Sequence, residues 1–271
     1  MRLTLFLAAC LMLAARAPAH AAPVNAALAA AAARLTGQHA VYALTLDRTH
    51  NGDVVAAHGT MTFDVADACD AWATNQRLEM TLINREGQNI QMVSDYATWE
   101  SKDGMRMRFH MRQSTDSSVT EEDEGRASVE HPGGPGEVHY TLPEKKTLPL
   151  PAGTLFPMTH TARILVAAAA GQRFTAVPLF DGTGPNGAQD TSIVVVDWQK
   201  PKPEPFPPLS SLPSGRVRVA FFNRSPGTML PDYEVGMRYW EDGVADGLDM
   251  DFGDFVMNGK LKLLTIPKPH C

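Results

Sequence analysis

The sequence repeats one pattern over most of its length: short runs of alternating apolar and polar residues, separated by dipeptides that favour tight turns. In one run Met107, Phe109 and Met111 alternate with arginine and histidine, shortly after the pair Asp103-Gly104. Because successive side chains of a strand point to opposite faces, this alternation predicts strands with one apolar and one polar face. Asp-Gly and Asn-Gly pairs accept the positive φ angles of two-residue hairpins. We therefore predict a one-sided antiparallel sheet of a dozen or more strands.

The same dipeptide signal predicts further turns at Asn51-Gly52, Asp181-Gly182, Asp242-Gly243 and Asn258-Gly259. Two segments lack the strand pattern. Residues 114–137 combine an acidic cluster with several prolines and glycines, so we expect an exposed turn region there. Residues 201–213 contain six prolines, which favours an extended external connection over a paired strand.

One main helix is predicted near the middle of the chain, where it would be a central element. Pro157 suits its first turn, where the missing N–H of proline leaves no hydrogen bond unmade, and Gly171 is a typical residue after a helix end. An alanine-rich stretch, residues 25–34, is interpreted as a short helix or a frayed arm. The predicted fold class is therefore mainly β with one main helix.

The first 22 residues have the layout of a secretory signal peptide. Arg2 supplies the positive charge, and residues 3–15 form an almost unbroken apolar stretch. Ala19-His20-Ala21 is a small-x-small cleavage pattern. The apolar stretch is shorter than the roughly 20 residues that span a bilayer, so we expect cleavage rather than anchoring. Residues 1–22 are therefore predicted to be a cleaved signal peptide, and the mature chain to be exported.

The cysteine content fits export. Cys10 lies in the predicted signal peptide with too few residues before it for a lipoprotein site, so the mature chain keeps Cys69 and Cys271. In an oxidising compartment a disulfide between these two is the favoured interpretation. Two buried free thiols, or a metal pair beside His270, are the alternatives. A bridge would tie the early strands to the chain end, so we predict one domain over residues 23–271 rather than two domains joined by the proline-rich segment.

Composition argues against some classes of function. Hydrophobic residues make up 44% of the chain and charged residues 20%, as in an ordinary globular protein. Without Arg2 and Arg16 of the predicted signal peptide, the 24 basic residues become 22 against 30 acidic ones, a formal net charge of −8. Nucleic-acid binders normally present a basic face, so no nucleic-acid partner is expected. The sequence also lacks a Gly-x-Ser-x-Gly elbow, a His-Glu-x-x-His helix and a glycine-rich phosphate loop, so we predict no enzyme, no metal and no cofactor.

A binding groove is predicted where the helix meets the sheet. A curved sheet that a helix covers only in part leaves an apolar groove. The predicted lining is Met107, Phe109, Phe156 and Met158, with His160 near the start of the helix. Ordinary core packing is the alternative role of the four apolar residues. For His160 the alternatives are a catalytic base and a structural hydrogen bond to a neighbouring strand, and the second is favoured because no nucleophile motif accompanies it.

Several short motifs follow one another in a specific order along residues 39–271. They are Cys69, Leu155-Phe156-Pro157 with His160, Phe180-Asp181-Gly182, Pro231-Asp232-Tyr233-Glu234, Asp251-Phe252-Gly253-Asp254-Phe255 and Cys271. In this order they resemble the EipB family, periplasmic envelope-integrity proteins of alphaproteobacteria. The match departs locally: Phe252 stands where the family pattern has tyrosine.

The resemblance implies an antiparallel β-spiral, an opened barrel-like sheet with a helix in its concave region, and a disulfide between Cys69 and Cys271. It also implies a periplasmic role in envelope integrity under stress, a genetic link to a periplasmic tetratricopeptide-repeat protein, and no established enzymatic activity. The leading hypothesis is a non-enzymatic protein that binds a periplasmic protein or an envelope component such as a lipid or peptide. The alternatives are a carrier of a lipid-like ligand in the groove beside the helix, and a hydrolase with an unconventional site near His160.

Overall fold

A single antiparallel sheet makes up most of the molecule. The computed structural model describes residues 21–50 and 52–268, and within these ranges it contains 14 strands and two α-helices. α1 spans Ala21–Ala32 and α2 spans Pro157–Ala169. The strands are β1 (Gln38–Thr49), β2 (Val54–Asp67), β3 (Ala71–Asn84), β4 (Asn89–Ser101), β5 (Arg106–Thr115), β6 (Ser118–Val129), β7 (Gly136–Leu142), β8 (Lys146–Leu150), β9 (Phe174–Leu179), β10 (Gln189–Val195), β11 (Ser214–Phe222), β12 (Tyr233–Trp240), β13 (Ala245–Asp251) and β14 (Phe255–Thr265).

The order of the strands shows where the sheet stays open. Each strand pairs with its neighbours in sequence, and β1 also pairs with β14, so the first and last strands lie side by side. The exception is the step from β8 to β9, which form the two edges of the sheet. Residues 151–173 connect these edges and include α2, and Leu155 forms an isolated parallel bridge with Leu179 of β9. The predicted open, barrel-like antiparallel sheet is confirmed. Its two open edges are joined in sequence by the segment that contains α2.

A carboxylate from the sheet holds the first turn of α2. Phe156 at the N-cap makes no side-chain hydrogen bond to the helix. Instead Glu100 of β4 accepts hydrogen bonds from the backbone N–H groups of Met158 and Thr159, at 2.7 and 2.9 Å. It also accepts one from the Thr159 hydroxyl at 2.6 Å. Two N–H groups that a helix terminus leaves unpaired are thereby satisfied, and the carboxylate lies at the positive end of the helix dipole.

The Glu100 side chain lies deep in the protein, with 1% of the residue exposed. Burial raises its pKa to about 7, and the three hydrogen bonds from α2 limit that rise. A carboxyl group whose pKa is higher in the folded than in the unfolded chain contributes most to stability below its unfolded pKa. That contribution falls as the pH rises through the folded pKa.

α2 contacts other elements on most of its circumference. Ile164 and Ala168 pack into the largest core. This core is formed by β1 and β14 together with strands on both sides of that pair. Phe156, just before the helix, belongs to a second core under β5–β8. Leu165 packs in a third cluster with Ala31 of α1. The predicted central helix is confirmed. The alanine-rich stretch, for which the sequence allowed either a short helix or a frayed arm, is largely helical and belongs to α1.

The segment predicted as exposed turns, residues 114–137, is largely strand. It contains all of β6 and the start of β7, and the positive φ angles at Asp116 and Ser117 mark the turn that precedes β6. The prediction was wrong because every second residue from Asp123 to Val129 lies on the more buried, inward side of β6, and most of these residues are small or apolar. Asp123 belongs to the acidic cluster and is nevertheless 0% exposed. A Cβ at Gly125 would lie 2.8 Å from the Phe109 ring, so the inner side of β6 accepts only a small residue there.

Three of the predicted turns are confirmed by positive φ at their glycines: Gly104, Gly182 and Gly243. Asn51 of a fourth lies outside the described residues. The predicted turn at Asn258-Gly259 is wrong, because β14 runs straight through it. A Cβ at Gly259 would lie 3.0 Å from the Leu248 side chain, so this glycine permits close packing between strands rather than a turn.

The proline-rich connection is confirmed. No strand crosses residues 201–213 of the described chain, which contain a short 3-10 turn at Pro207–Leu209. Leu209 is 1% exposed and anchors this connection to the large core.

Replacing Glu100 with alanine is expected to lower the free energy of unfolding by about 2–4 kcal/mol near pH 7, because two N–H groups and a hydroxyl lose their buried acceptor. Urea denaturation measures this loss. Glu79→Ala is the control, since Glu79 is half-exposed on the neighbouring strand β3 and its surface ion pair contributes less than about 1 kcal/mol.

The pH dependence of the same variant follows from the raised pKa. The loss caused by Glu100→Ala should be larger near pH 5.5 than near pH 8, because the stabilisation specific to protonated Glu100 is lost as the pH rises through about 7. A loss no larger than that of Glu79→Ala at both values would contradict the role assigned to Glu100.

Candidate functional site

An apolar cavity of about 220 Å³ opens between α2 and the sheet. Its walls come from β1–β3, β12, β13, α2 and the segment after α1. Methionine and tyrosine side chains dominate the wall, among them Met61, Met158, Met237, Met250, Tyr42 and Tyr239. Because methionine is flexible and polarizable, such a wall adapts to apolar groups of different shape.

Two of the tyrosines that line the cavity, Tyr42 and Tyr239, have hydroxyls that are hydrogen-bonded to neighbouring wall residues. The Tyr42 hydroxyl donates to the backbone carbonyl of Ala245 at 2.8 Å, and the Tyr239 hydroxyl is hydrogen-bonded to the side chain of Thr161. Burial raises the pKa of both tyrosines, so both stay neutral. These rings therefore contribute apolar wall rather than reactive groups.

Five polar side chains besides the tyrosines lie in the apolar wall: Thr36, Gln38, Gln76, Thr161 and Asp242. Gln38 is 5% exposed, and its Oε1 atom is buried with no hydrogen-bond partner among the described residues. Asp242 lies at the same cavity, where its Oδ1 accepts the N–H of Val244 at 3.1 Å and burial raises its pKa. The described residues that line the cavity include no lysine, arginine or histidine.

The structure separates the residues predicted to line one groove. Met107, Phe109 and Phe156 are buried in a packed cluster under β5–β8, with 1%, 3% and 0% of each residue exposed. Phe180 lies between the rings of Phe109 and Phe156, with centroid distances of 5.3 and 6.4 Å in edge-to-face contacts. The predicted groove is therefore wrong at these three positions, which are core. Of the five predicted residues only Met158 lines the cavity.

The physical reason is that the loop between β9 and β10 covers the inner face of β4–β7. The Tyr96 hydroxyl donates to the backbone carbonyl of Asp181, and the Tyr140 hydroxyl donates to that of Gly184 at 3.2 Å. A Cβ at Gly182 would lie 2.5 Å from the Phe109 ring, so the loop packs directly on this core. Alternation along a strand reveals an apolar face but not what covers it.

His160 has the structural role that the sequence favoured over catalysis. Its Nε2 donates to the Thr191 hydroxyl at 3.0 Å, and that hydroxyl donates to the backbone carbonyl of Val177 at 2.8 Å. Burial lowers the pKa of His160 to about 4, so the ring is neutral near pH 7. His160 therefore fixes α2 to strands β9 and β10, away from the cavity.

Cys69 lies in the exposed turn between β2 and β3, with a positive φ of 68°. Its N–H donates to Asp67 Oδ1 at 2.9 Å, and Lys102 Nζ approaches the same oxygen at 2.5 Å. Cys271 lies outside the described residues, so its pairing with Cys69 stays a prediction.

The strand register favours that pairing. His39 of β1 lies opposite both Asp64 of β2 and Thr265 of β14. β2 and β14 are both antiparallel to β1, so both leave the sheet in the same direction, with roughly 10 Å between them. Cys69 follows Asp64 by five positions and Cys271 follows Thr265 by six in the sequence, which agrees with the predicted pairing.

Other predictions concern residues that the structure describes only in part. Residues 1–20 lie outside the described ranges, so the signal peptide at residues 1–22 stays a prediction. In residues 21–50 and 52–268 neither helix has the length and apolarity that crossing a membrane requires. The same ranges contain no cluster of three or more histidine, cysteine, aspartate or glutamate side chains arranged to hold a metal ion.

An open antiparallel sheet that surrounds a helix and keeps an apolar cavity defines a barrel-like β protein with an internal cavity. The chain belongs to the EipB-like family, whose model matches residues 29–268. It is 32% identical over 251 residues to the cell envelope integrity protein EipB of Brucella abortus (strain 2308), covering 89% of this chain and 88% of that protein. A crystal structure of a beta-barrel-like protein from Brucella abortus matches with a TM-score of 0.77 and 29% identity, covering 87% of this chain and 99% of that chain. The resemblance seen in the sequence is confirmed.

If the predicted bridge exists, Cys69→Ser and Cys271→Ser should each lower the free energy of unfolding by about 2–4 kcal/mol, because the unfolded chain gains freedom. The double variant should be no less stable than either single variant, since all three lack the same bond. Thermal or urea denaturation measures these differences, and thiol trapping without reductant should detect no free thiol in the mature wild-type protein. Additive losses, or two titratable thiols, would refute the bridge.

Proposed function

We propose that this protein is a non-enzymatic periplasmic protein that supports cell-envelope integrity by binding an apolar envelope component in the cavity beside α2. Its relative in Brucella abortus carries the name of a cell envelope integrity protein. The predicted signal peptide favours export across the inner membrane. The cavity favours a small apolar ligand, in agreement with the lipid-carrier alternative that the sequence left open.

The observation that carries this proposal is the contrast between two parts of the sheet interior. Under β5–β8 the aromatic rings of Phe109, Phe156 and Phe180 fill the space. Beside α2 the interior keeps an apolar space of about 220 Å³. Protein interiors are close-packed, and side chains that face an unfilled space lose dispersion contacts. A ligand with an apolar chain would restore those contacts.

The buried titratable groups at α2 favour binding over catalysis. His160 is neutral and fixed to Thr191, and Glu100 holds the N–H groups of the first helical turn. Neither residue lines the cavity. The pKa shifts of both residues therefore accompany the placement of α2.

A second candidate function is binding of a periplasmic tetratricopeptide-repeat protein, the partner that the family resemblance implies. The observation that favours it is the loop between β11 and β12, where Met229 and Leu230 are 88% and 78% exposed. A partner that covered this loop would remove both apolar side chains from water, which favours association.

Met158→Gln should strongly reduce rescue of an envelope-stress defect in a strain that lacks the gene, because it places a polar amide in the cavity wall. Gln resembles Met in size and helix propensity and adds no charge near Glu100, so the melting temperature should change by only a few degrees. Met158→Leu keeps the wall apolar and should rescue fully. Met107→Gln, at a residue 1% exposed in the packed core, should instead lower stability strongly.

Survival of the deletion strain under envelope stress and thermal melts of the purified variants measure these effects. Full rescue by a folded Met158→Gln protein would contradict the cavity proposal. If Leu230→Asp then lost rescue with an unchanged melt, the protein-partner candidate would replace it.

A further inference from the structure

We infer that the cavity selects amphiphiles whose polar end is an uncharged hydrogen-bond donor, such as a hydroxyl group, and rejects anionic amphiphiles such as fatty acids. This inference rests on the proposed function, because it names the chemical class of ligand for the same cavity. Its basis is the buried acceptor of Gln38 that has no partner, the carboxyl group of Asp242, and the absence of a cationic side chain among the described lining residues. The other polar groups of the wall belong to Thr36, Gln76, Thr161 and the lining tyrosines.

Gln38 supplies a buried acceptor without a partner. It is the first residue of β1, its backbone lies opposite Val65 of β2, and its side chain reaches the cavity. The Oε1 atom is buried and has no hydrogen-bond partner among the described residues. Most buried polar atoms in native proteins are hydrogen-bonded, so a buried atom without a partner requires an explanation. A hydroxyl group on a bound ligand would donate to Gln38 and satisfy this acceptor.

Asp242 makes the cavity unfavourable for anions. Its Oδ1 already accepts the Val244 N–H, and its backbone carbonyl accepts the Thr36 N–H at 3.0 Å. Arg34, a cation just before the lining segment, pairs with Glu241 at 3.0 Å instead of facing the cavity. An anionic head group would therefore lose its hydration beside a carboxylate, with no cation in the wall to offset that loss.

The volume of the cavity limits the size of the apolar part of a ligand. An engineered apolar cavity of about 150 Å³ in another protein accommodates benzene. The cavity described here, of about 220 Å³, is somewhat larger. An alkyl chain of roughly eight carbons is therefore a suitable probe for it.

Three probes with apolar chains of seven or eight carbons separate the contributions of charge and of hydrogen bonding. 1-Octanol carries a donor, methoxyoctane is neutral without a donor, and octanoate is an anion near pH 7. Isothermal titration calorimetry with the mature protein should show 1-octanol binding about fivefold more tightly than methoxyoctane, the effect of one net hydrogen bond. Octanoate should bind at least about tenfold more weakly than 1-octanol.

Two variants assign these preferences to residues. Gln38→Leu should remove most of the advantage of 1-octanol over methoxyoctane without weakening methoxyoctane. Asp242→Asn keeps an oxygen that can accept the Val244 N–H, and it should reduce the discrimination against octanoate. Thermal melts establish that both variants are folded, and Glu79→Gln on the outer face should leave all three affinities unchanged.

The outcomes distinguish this inference from the proposed function. If octanoate binds as tightly as 1-octanol, or if 1-octanol and methoxyoctane bind equally to the wild-type protein, the inferred selectivity is wrong while binding in the cavity stands. If none of the three probes binds, the proposed function fails together with the selectivity.

Discussion

The hydrogen bonds between the buried Glu100 carboxylate and the first turn of α2 determine how the interior of the sheet is organised. They join β4 to a helix whose own N-cap residue, Phe156, makes no capping bond. A buried carboxylate is unfavourable unless its acceptor sites are used, and three donors from the helix use them. The helix and the strand therefore stabilise each other. His160 adds a second tie, to β9 and β10 through Thr191 and Val177.

With α2 held in this position, the antiparallel meander stays open. β1 pairs with β14, whereas β8 and β9 remain edges joined through the segment that contains the helix. The interior then divides into two parts with different contents. On one side of α2 the loop between β9 and β10 covers an aromatic core around Phe109 and Phe180. On the other side Met158 and strands β1–β3, β12 and β13 enclose an apolar cavity. The function that we propose depends on this division.

Local chemistry predicted much of the fold. The alternation around Met107 and Phe109 correctly predicted a strand with an inward apolar face, and Pro157 marked the start of α2. The cap at Glu100 was missed, because its helical partners lie more than 50 positions away in sequence and no local pattern links them. The groove was misplaced for a similar reason: the sequence shows which side chains point inward, but not which of them another segment covers. Gly259 shows a third limit of prediction from sequence. A glycine can be required by a turn or by close packing between strands, and the sequence does not distinguish the two.

The central claim is that the cavity beside α2 holds an apolar ligand in the cell. Native mass spectrometry of the protein purified from its native cells, without detergent or refolding, tests this claim most directly. We expect a non-covalent adduct of small mass that disappears on denaturation and is depleted in the Met158→Gln variant but retained in Met158→Leu. A wild-type protein that carries only its own mass, with 1-octanol failing to bind when added, would contradict it.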